Sequence, residues 1–141
     1  MRLPAVHASL PTLLRAAAVS CVVVLAILSL IPGQDLVRTD LAKLGYGKQA
    51  EHFIAYFGAT TIIGLAYPAR IRRLPLALAL ILYATALEIG QLYVPGRSAS
   101  VMDFSASAAG VIAGTLLLSL VWRTLVRTFT LAPTSPARKR R

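Results

Sequence analysis

Four apolar blocks dominate this chain, at roughly Leu14–Ile31, Phe53–Pro68, Leu74–Val94 and Asp103–Val126. Breaks containing Pro, Gly and Arg separate them. A bilayer's hydrocarbon layer is about 30 Å thick and takes about 20 apolar residues of helix to cross. Inside it every backbone N–H and C=O must be paired within the protein, which leaves helices or closed barrels. The blocks are continuous rather than amphipathic, so the fold class expected is all-α: an integral membrane bundle of four transmembrane helices. Composition agrees. The chain is 57% hydrophobic and 14% charged, whereas a soluble domain is about a quarter charged. The domain plan is an N-terminal arm over 1–13, a four-helix membrane domain over 14–126 and a basic tail over 127–141.

The net charge of +10 raises the question of nucleic acid. The distribution answers it. Threading the chain through four spans puts Arg2, Arg15, Arg70, Arg72, Arg73, Arg123, Arg127 and the ARKRR end on one side, with no acid among them. The other side holds Arg38, Lys43, Lys48 and Arg97 together with all five acids of the chain. Lys and Arg collect in cytoplasmic loops. Both termini are therefore expected in the cytoplasm, and the acidic face outside. No aromatic residues interleave with the bases, so nucleic acid is not an expected partner. The tail reads as a topology signal drawn to anionic headgroups.

Cys21 is the single cysteine and excludes an intramolecular disulfide. AVSC faintly resembles a lipid-attachment site, but the apolar run continues to Ile31, so the first block is expected to be retained as a helix. Pro32-Gly33 ends it, and Pro95-Gly96 ends the third block. The connection Gln34–Lys48 is the longest, and DLVRTDLAKLG within it is expected to form a short surface turn. TFTLAPTSPARKRR reads as a disordered tail.

Ionisable groups are expensive in a membrane, at about 2.5–3.5 kcal/mol each near its centre on insertion scales. Yet the stretch EIGQLYVPGRSASVMDFSASAAGVIAG concentrates polar groups where the third block ends and the fourth begins. Glu88 and Gln91 are three apart and share a helix face. Glu88 lies about 9 Å below the outer end at 1.5 Å per residue. It serves equally as a structural clamp between helices or as a binding or catalytic carboxylate. Lys48, His52 and Tyr56, spaced by four, form one stripe on the second block. His52 fits a hydrogen-bond partner of Glu88, a proton carrier or a ligand. Metal binding is not expected, because His7 lies on the opposite side and no second His or Cys is paired with His52. No cofactor is expected. Arg97 sits in a Pro-Gly-Arg-Ser turn and can bind a phosphate or carboxylate with its fork, or pair with Asp103 or Glu88. Asp103, Ser107, Gly110 and Gly114 fall on one helical stripe. Gly110 and Gly114 form a GxxxG element, which lets helices approach closely where lipid gives no hydrophobic drive.

EHFIAYF followed by EIGQLYVPGRSASVMDFSASAAGVIAG resembles the VanZ-like family of small bacterial membrane proteins. The shared pattern is a His with a Tyr four later, E-x-x-Q ending a helix, a P-x-R turn, and an Asp opening a Gly-containing helix. It covers about Lys48–Gly114, with the first block as a variable lead-in. Carried over, the family's polar positions fall on His52, Tyr56, Glu88, Gln91, Arg97, Asp103, Gly110 and Gly114. Two departures stand out. Lys48-Gln49 replaces the family's frequent Asp-Lys before the His, which weakens a role for Lys48. Ser107 replaces a frequent Asn four residues after the Asp. The resemblance implies a link to resistance against the glycopeptide teicoplanin, without fixing a reaction.

Three functions are compatible with these residues. The first is an envelope protein whose outward polar pocket of His52, Tyr56, Glu88, Gln91, Arg97, Asp103 and Ser107 binds a lipid headgroup or cell-wall precursor. The second is a membrane-embedded enzyme with Glu88 and His52 as acid–base groups, against which stands the lack of an activated nucleophile. The third is a structural or assembly protein, monomeric or oligomeric, whose polar groups fix helix packing.

Overall fold

The computed structural model describes residues 6–33, 35, 47–68 and 72–130, and side chains within 10–124 of these. The expected surface turn at DLVRTDLAKLG, apart from Asp35, and the ARKRR end lie outside the described residues. Four helices follow in order: α1 (Val6–Leu30), α2 (Gly47–Ala66), α3 (Arg73–Gln91) and α4 (Val101–Thr130). There is no strand among the described residues. The chain forms a helical membrane bundle. Leu10–Leu30, Arg73–Gln91 and Val101–Thr124 are long and apolar enough to cross a membrane.

α2 has 20 residues, or about 30 Å of helix, but is less apolar because it carries Lys48, Gln49, Glu51 and His52 in its first turns. Its position explains the composition. α2 packs against all three other helices, most extensively against α4, whereas α1 and α4 do not meet among the described residues. A helix wrapped by protein needs fewer lipid-soluble side chains than one facing lipid. The flanking α1 shows the converse, turning Val19, Val23, Ile27 and Leu28 outward. The core runs along Leu25, Tyr56, Ile63, Leu76, Leu80, Leu87 and Val111.

Helix boundaries differ from expectation at both ends. α1 begins at Val6 and runs through Pro11, so much of the expected N-terminal arm is helical. α4 continues to Thr130, taking in residues assigned to the tail. Pro75 is tolerated in α3 because it occupies the first turn, where its missing N–H has no intrahelical acceptor. α3 closes at Gln91. The Arg97 N–H then donates to the Val94 carbonyl at 3.1 Å across Pro95-Gly96. Gly96 has φ 71°, which fits a type II turn with Pro first and Gly second.

The two Pro-Gly breakers, 63 residues apart, are in contact (Gly33 and Gly96). The Gly33 N–H donates to the Pro95 carbonyl at 3.1 Å. A Cβ on Gly33 would collide with the Gly96 carbonyl. Only glycine lets the end of α1 lie on the α3–α4 turn.

The hydroxyls in the bundle are largely satisfied locally. Thr60, Thr61, Thr85, Thr115 and Ser119 each donate to the carbonyl four residues back, at 2.7–2.9 Å. Such back-bonding removes the cost of an unpaired hydroxyl in an apolar surround. It lets Thr60 be fully buried in the α2–α4 seam. That seam is closed by the expected pair of glycines. A Cβ on Gly110 would meet the α2 backbone at Phe53 and Phe57, and one on Gly114 would lie 2.9 Å from Thr60 Cβ.

Candidate functional site

The first turns of α2, the last turn of α3 and the first turn of α4 meet at one end of the bundle. α4 begins with a cap. Ser100 precedes Val101, the first helical residue, and its hydroxyl accepts the Asp103 N–H at 3.4 Å. In a capping box the acidic third residue would reach back to the N–H of the cap residue. Here Glu88 of α3 does so instead, its Oε2 accepting the Ser100 N–H at 3.0 Å. The substitution releases the Asp103 side chain toward α2. Both carboxylates lie at the N-terminal end of α4.

Asp103 is fully buried. Its Oδ1 accepts Gln49 Nε2 at 3.2 Å, and its Oδ2 forms an ion pair with Lys48. Only the carboxylate of this pair is fully buried, and loss of the lysine would leave that charge without its counter-ion. One turn further along α4, Ser107 faces His52, with Nδ1 and Oγ 3.2 Å apart. The Ser107 hydroxyl also donates to the Asp103 carbonyl at 3.0 Å. A hydroxyl has one proton. A Ser107 hydroxyl committed to the carbonyl matches the His52 tautomer in which Nδ1–H is the donor.

His52, Glu88 and Asp103 converge. One ring nitrogen and one oxygen from each carboxylate lie within 4.8 Å of one another. Expectation set metal binding aside because His52 has no His or Cys partner. Folding supplies carboxylates from two other helices instead, so a three-donor set does exist. Ser107, His52 and Asp103 are nonetheless not arranged as a nucleophilic triad. Ser107 is 1% exposed, and its proton is held by its own helix.

Other expected site residues are placed differently. Tyr56 lies in the core one turn below His52. Gln91 is 1% exposed, and its Oε1 has no hydrogen-bond partner among the described residues. Arg97 is turned to the end of α1, donating through Nε to the Ile31 carbonyl at 3.1 Å and through its second terminal nitrogen to the Leu28 carbonyl. It caps orphan carbonyls that a helix C-terminus leaves open. Gly110 and Gly114 lie against α2 at Phe53, Phe57 and Thr60.

Sequence reasoning passed over Ser100 and Gln49 and discounted Lys48. The Ser100-x-x-Asp103 spacing before an apolar run is a legible cap signal. Nothing local marks Gln49. On the lipid side of the cluster, a groove of about 230 Å³ between α3 and α4 is lined by Thr85, Ile89, Leu92, Val101 and Phe104 and reaches Glu88 and Ser100.

Fold and cluster together define a small polytopic helical membrane protein with a buried polar centre at one end. A family model described as VanZ/LLP1 matches residues 16–123. The chain belongs to the VanZ/LLP1 family, and the match takes in most of α1 as well as the polar motifs. No curated protein and no solved structure matches the chain.

Proposed function

We propose that the polar end of the bundle binds the headgroup of an envelope lipid or of a lipid-linked cell-wall component at the outer face of a bacterial cytoplasmic membrane. The observation that carries this reading is the groove between α3 and α4. It is apolar along Ile89, Leu92, Val101 and Phe104 and ends on the buried carboxylate of Glu88. A lipid tail laid in it brings a headgroup to Glu88 and Ser100. Lys48, Asp103 and His52 lie beyond, and their mixed signs suit a headgroup carrying both an amine and a phosphate. The orientation rests on the charge sort: the polar end lies on the acid-bearing side, and both termini lie on the basic, cytoplasmic side. A role in glycopeptide resistance would follow from binding a cell-wall precursor in this way.

The test is lipid retention. Protein purified in mild detergent should carry one lipid class enriched over the bulk membrane, read by mass spectrometry of the extract. Ile89→Trp fills the groove and should lower that enrichment at least fivefold. Glu88→Gln should do the same while leaving the fold intact, since the amide oxygen still accepts the Ser100 N–H. A wild-type lipid profile identical to the bulk membrane overturns the proposal.

A further inference from the structure

We propose that His52, Glu88 and Asp103 bind a divalent transition-metal cation of the Zn²⁺ or Mn²⁺ class, in competition with the Lys48 ammonium. This goes beyond headgroup binding and needs no lipid. Three helices each deliver one donor, and three atoms within 4.8 Å of one another leave a central ion at most about 2.8 Å from each. Small rotamer changes close that to the roughly 2.0–2.2 Å of zinc–nitrogen and zinc–carboxylate bonds. One imidazole with two carboxylates is a donor set suited to Zn²⁺ or Mn²⁺, whereas Ca²⁺ and Mg²⁺ prefer oxygen alone.

Each donor is also held from behind. Ser107 takes the Nδ1 side of His52, the Ser100 N–H holds Glu88 Oε2, and the Gln49 amide holds Asp103 Oδ1. Partners of this kind fix the tautomer and orientation of metal ligands. His52 is bonded through Nδ1 and Glu88 through Oε2, so each carries a second donor atom, Nε2 and Oε1, that can turn to a cation.

Lys48 holds the remaining place. Its ammonium pairs with Asp103 Oδ2, and its side chain is 28% exposed while that of Asp103 is 0%. A long, partly exposed lysine can withdraw its charge to the interface. A metal ion would then supply the positive charge that two buried carboxylates require. Three protein ligands leave a further coordination position for water or an anionic oxygen.

The experiment uses the full chain, purified without a polyhistidine tag and stripped with chelator. Zn²⁺ and Mn²⁺ are titrated by calorimetry, and Co²⁺ by its visible absorption bands. One ion per chain is expected, with Co²⁺ bands characteristic of nitrogen and oxygen ligands. His52→Ala and Asp103→Asn should each weaken binding at least tenfold. Lys48→Met should tighten it at least threefold, because the competitor is gone. The wild-type Co²⁺ spectrum needs no variant to fold. Absence of saturable binding up to about 1 mM, or binding unchanged in His52→Ala, overturns the proposal. Lipid retention measured in chelator reports separately on the headgroup reading, so failure of one is distinguishable from failure of the other.

Discussion

The same substitution, Gly→Ala, should have opposite effects at Gly110 of α4 and Gly58 of α2. A Cβ at Gly58 meets nothing within 4 Å. There alanine gains helix propensity, about 0.8–1.0 kcal/mol over glycine. At Gly110 the added carbon meets the Phe53 carbonyl oxygen, lies 3.0 Å from Phe57 N and 3.2 Å from Phe53 C. These are backbone atoms of a neighbouring helix and cannot rotate away. Ordinary contacts of this kind lie at or beyond about 3.5 Å, so α2 and α4 must separate by about 0.5–1 Å, and a gap of that size forfeits a quarter to a half of each facing contact. Overpacking of this kind costs about 1–3 kcal/mol or more. With the propensity gain of about 0.8–1.0 kcal/mol set against that cost, Gly110→Ala should lose up to about 2 kcal/mol, and Gly58→Ala should gain a little under 1. Thermal melting in detergent, followed by loss of the monodisperse peak, should order the proteins Gly58→Ala, wild type, Gly110→Ala. Gly110→Leu and Gly114→Leu should fall lower still, well below Val111→Leu. A Gly110→Ala protein that melts at or above Gly58→Ala would refute the close-contact argument, because both substitutions gain the same propensity and only the one at Gly110 meets backbone.

Two further outcomes follow. Arg97→Ala should lower the melting temperature, since it removes two charge-assisted bonds to α1 carbonyls, each worth about 1.5–3 kcal/mol; Arg97→Lys should recover only part, and a variant as stable as wild type would contradict the cap. In a Cys21-free background, cysteines at 35 and 98 should be labelled by an impermeant reagent in intact cells and one at 72 should not; labelling at 72 would reverse the proposed orientation.

The role of Arg97 shows where a sequence reading stops. Its place after Pro95-Gly96 was legible, as was a choice of anionic partners. Backbone carbonyls of Leu28 and Ile31, 69 and 66 residues away, carry no side-chain signature. The consequence is practical: loss of Arg97 acts on α1 docking as well as on the charge near His52, so it cannot by itself report on the polar cluster.

Much was fixed by composition and spacing alone. Continuous apolar blocks in a medium without water admit only self-satisfied helices, so the helical membrane bundle and its rough spans needed no coordinates. The Gly110–Gly114 pair announced a close seam for the same reason: small residues are what lets two backbones approach. The grouping of His52, Glu88 and Asp103 near one end followed from where each block begins or ends. Which group pairs with which did not. Lys48 takes Asp103 because Glu88, from another helix, occupies the Ser100 N–H that Asp103 would otherwise have reached. Gln49, unremarkable in the sequence, becomes a hydrogen-bond partner of Asp103 because α2 is pressed onto α4 through two glycines. Hydrogen bonds and ion pairs are selected over a few tenths of an ångström, and that scale is set by the rotation and separation of packed helices. Only the tertiary structure carries it.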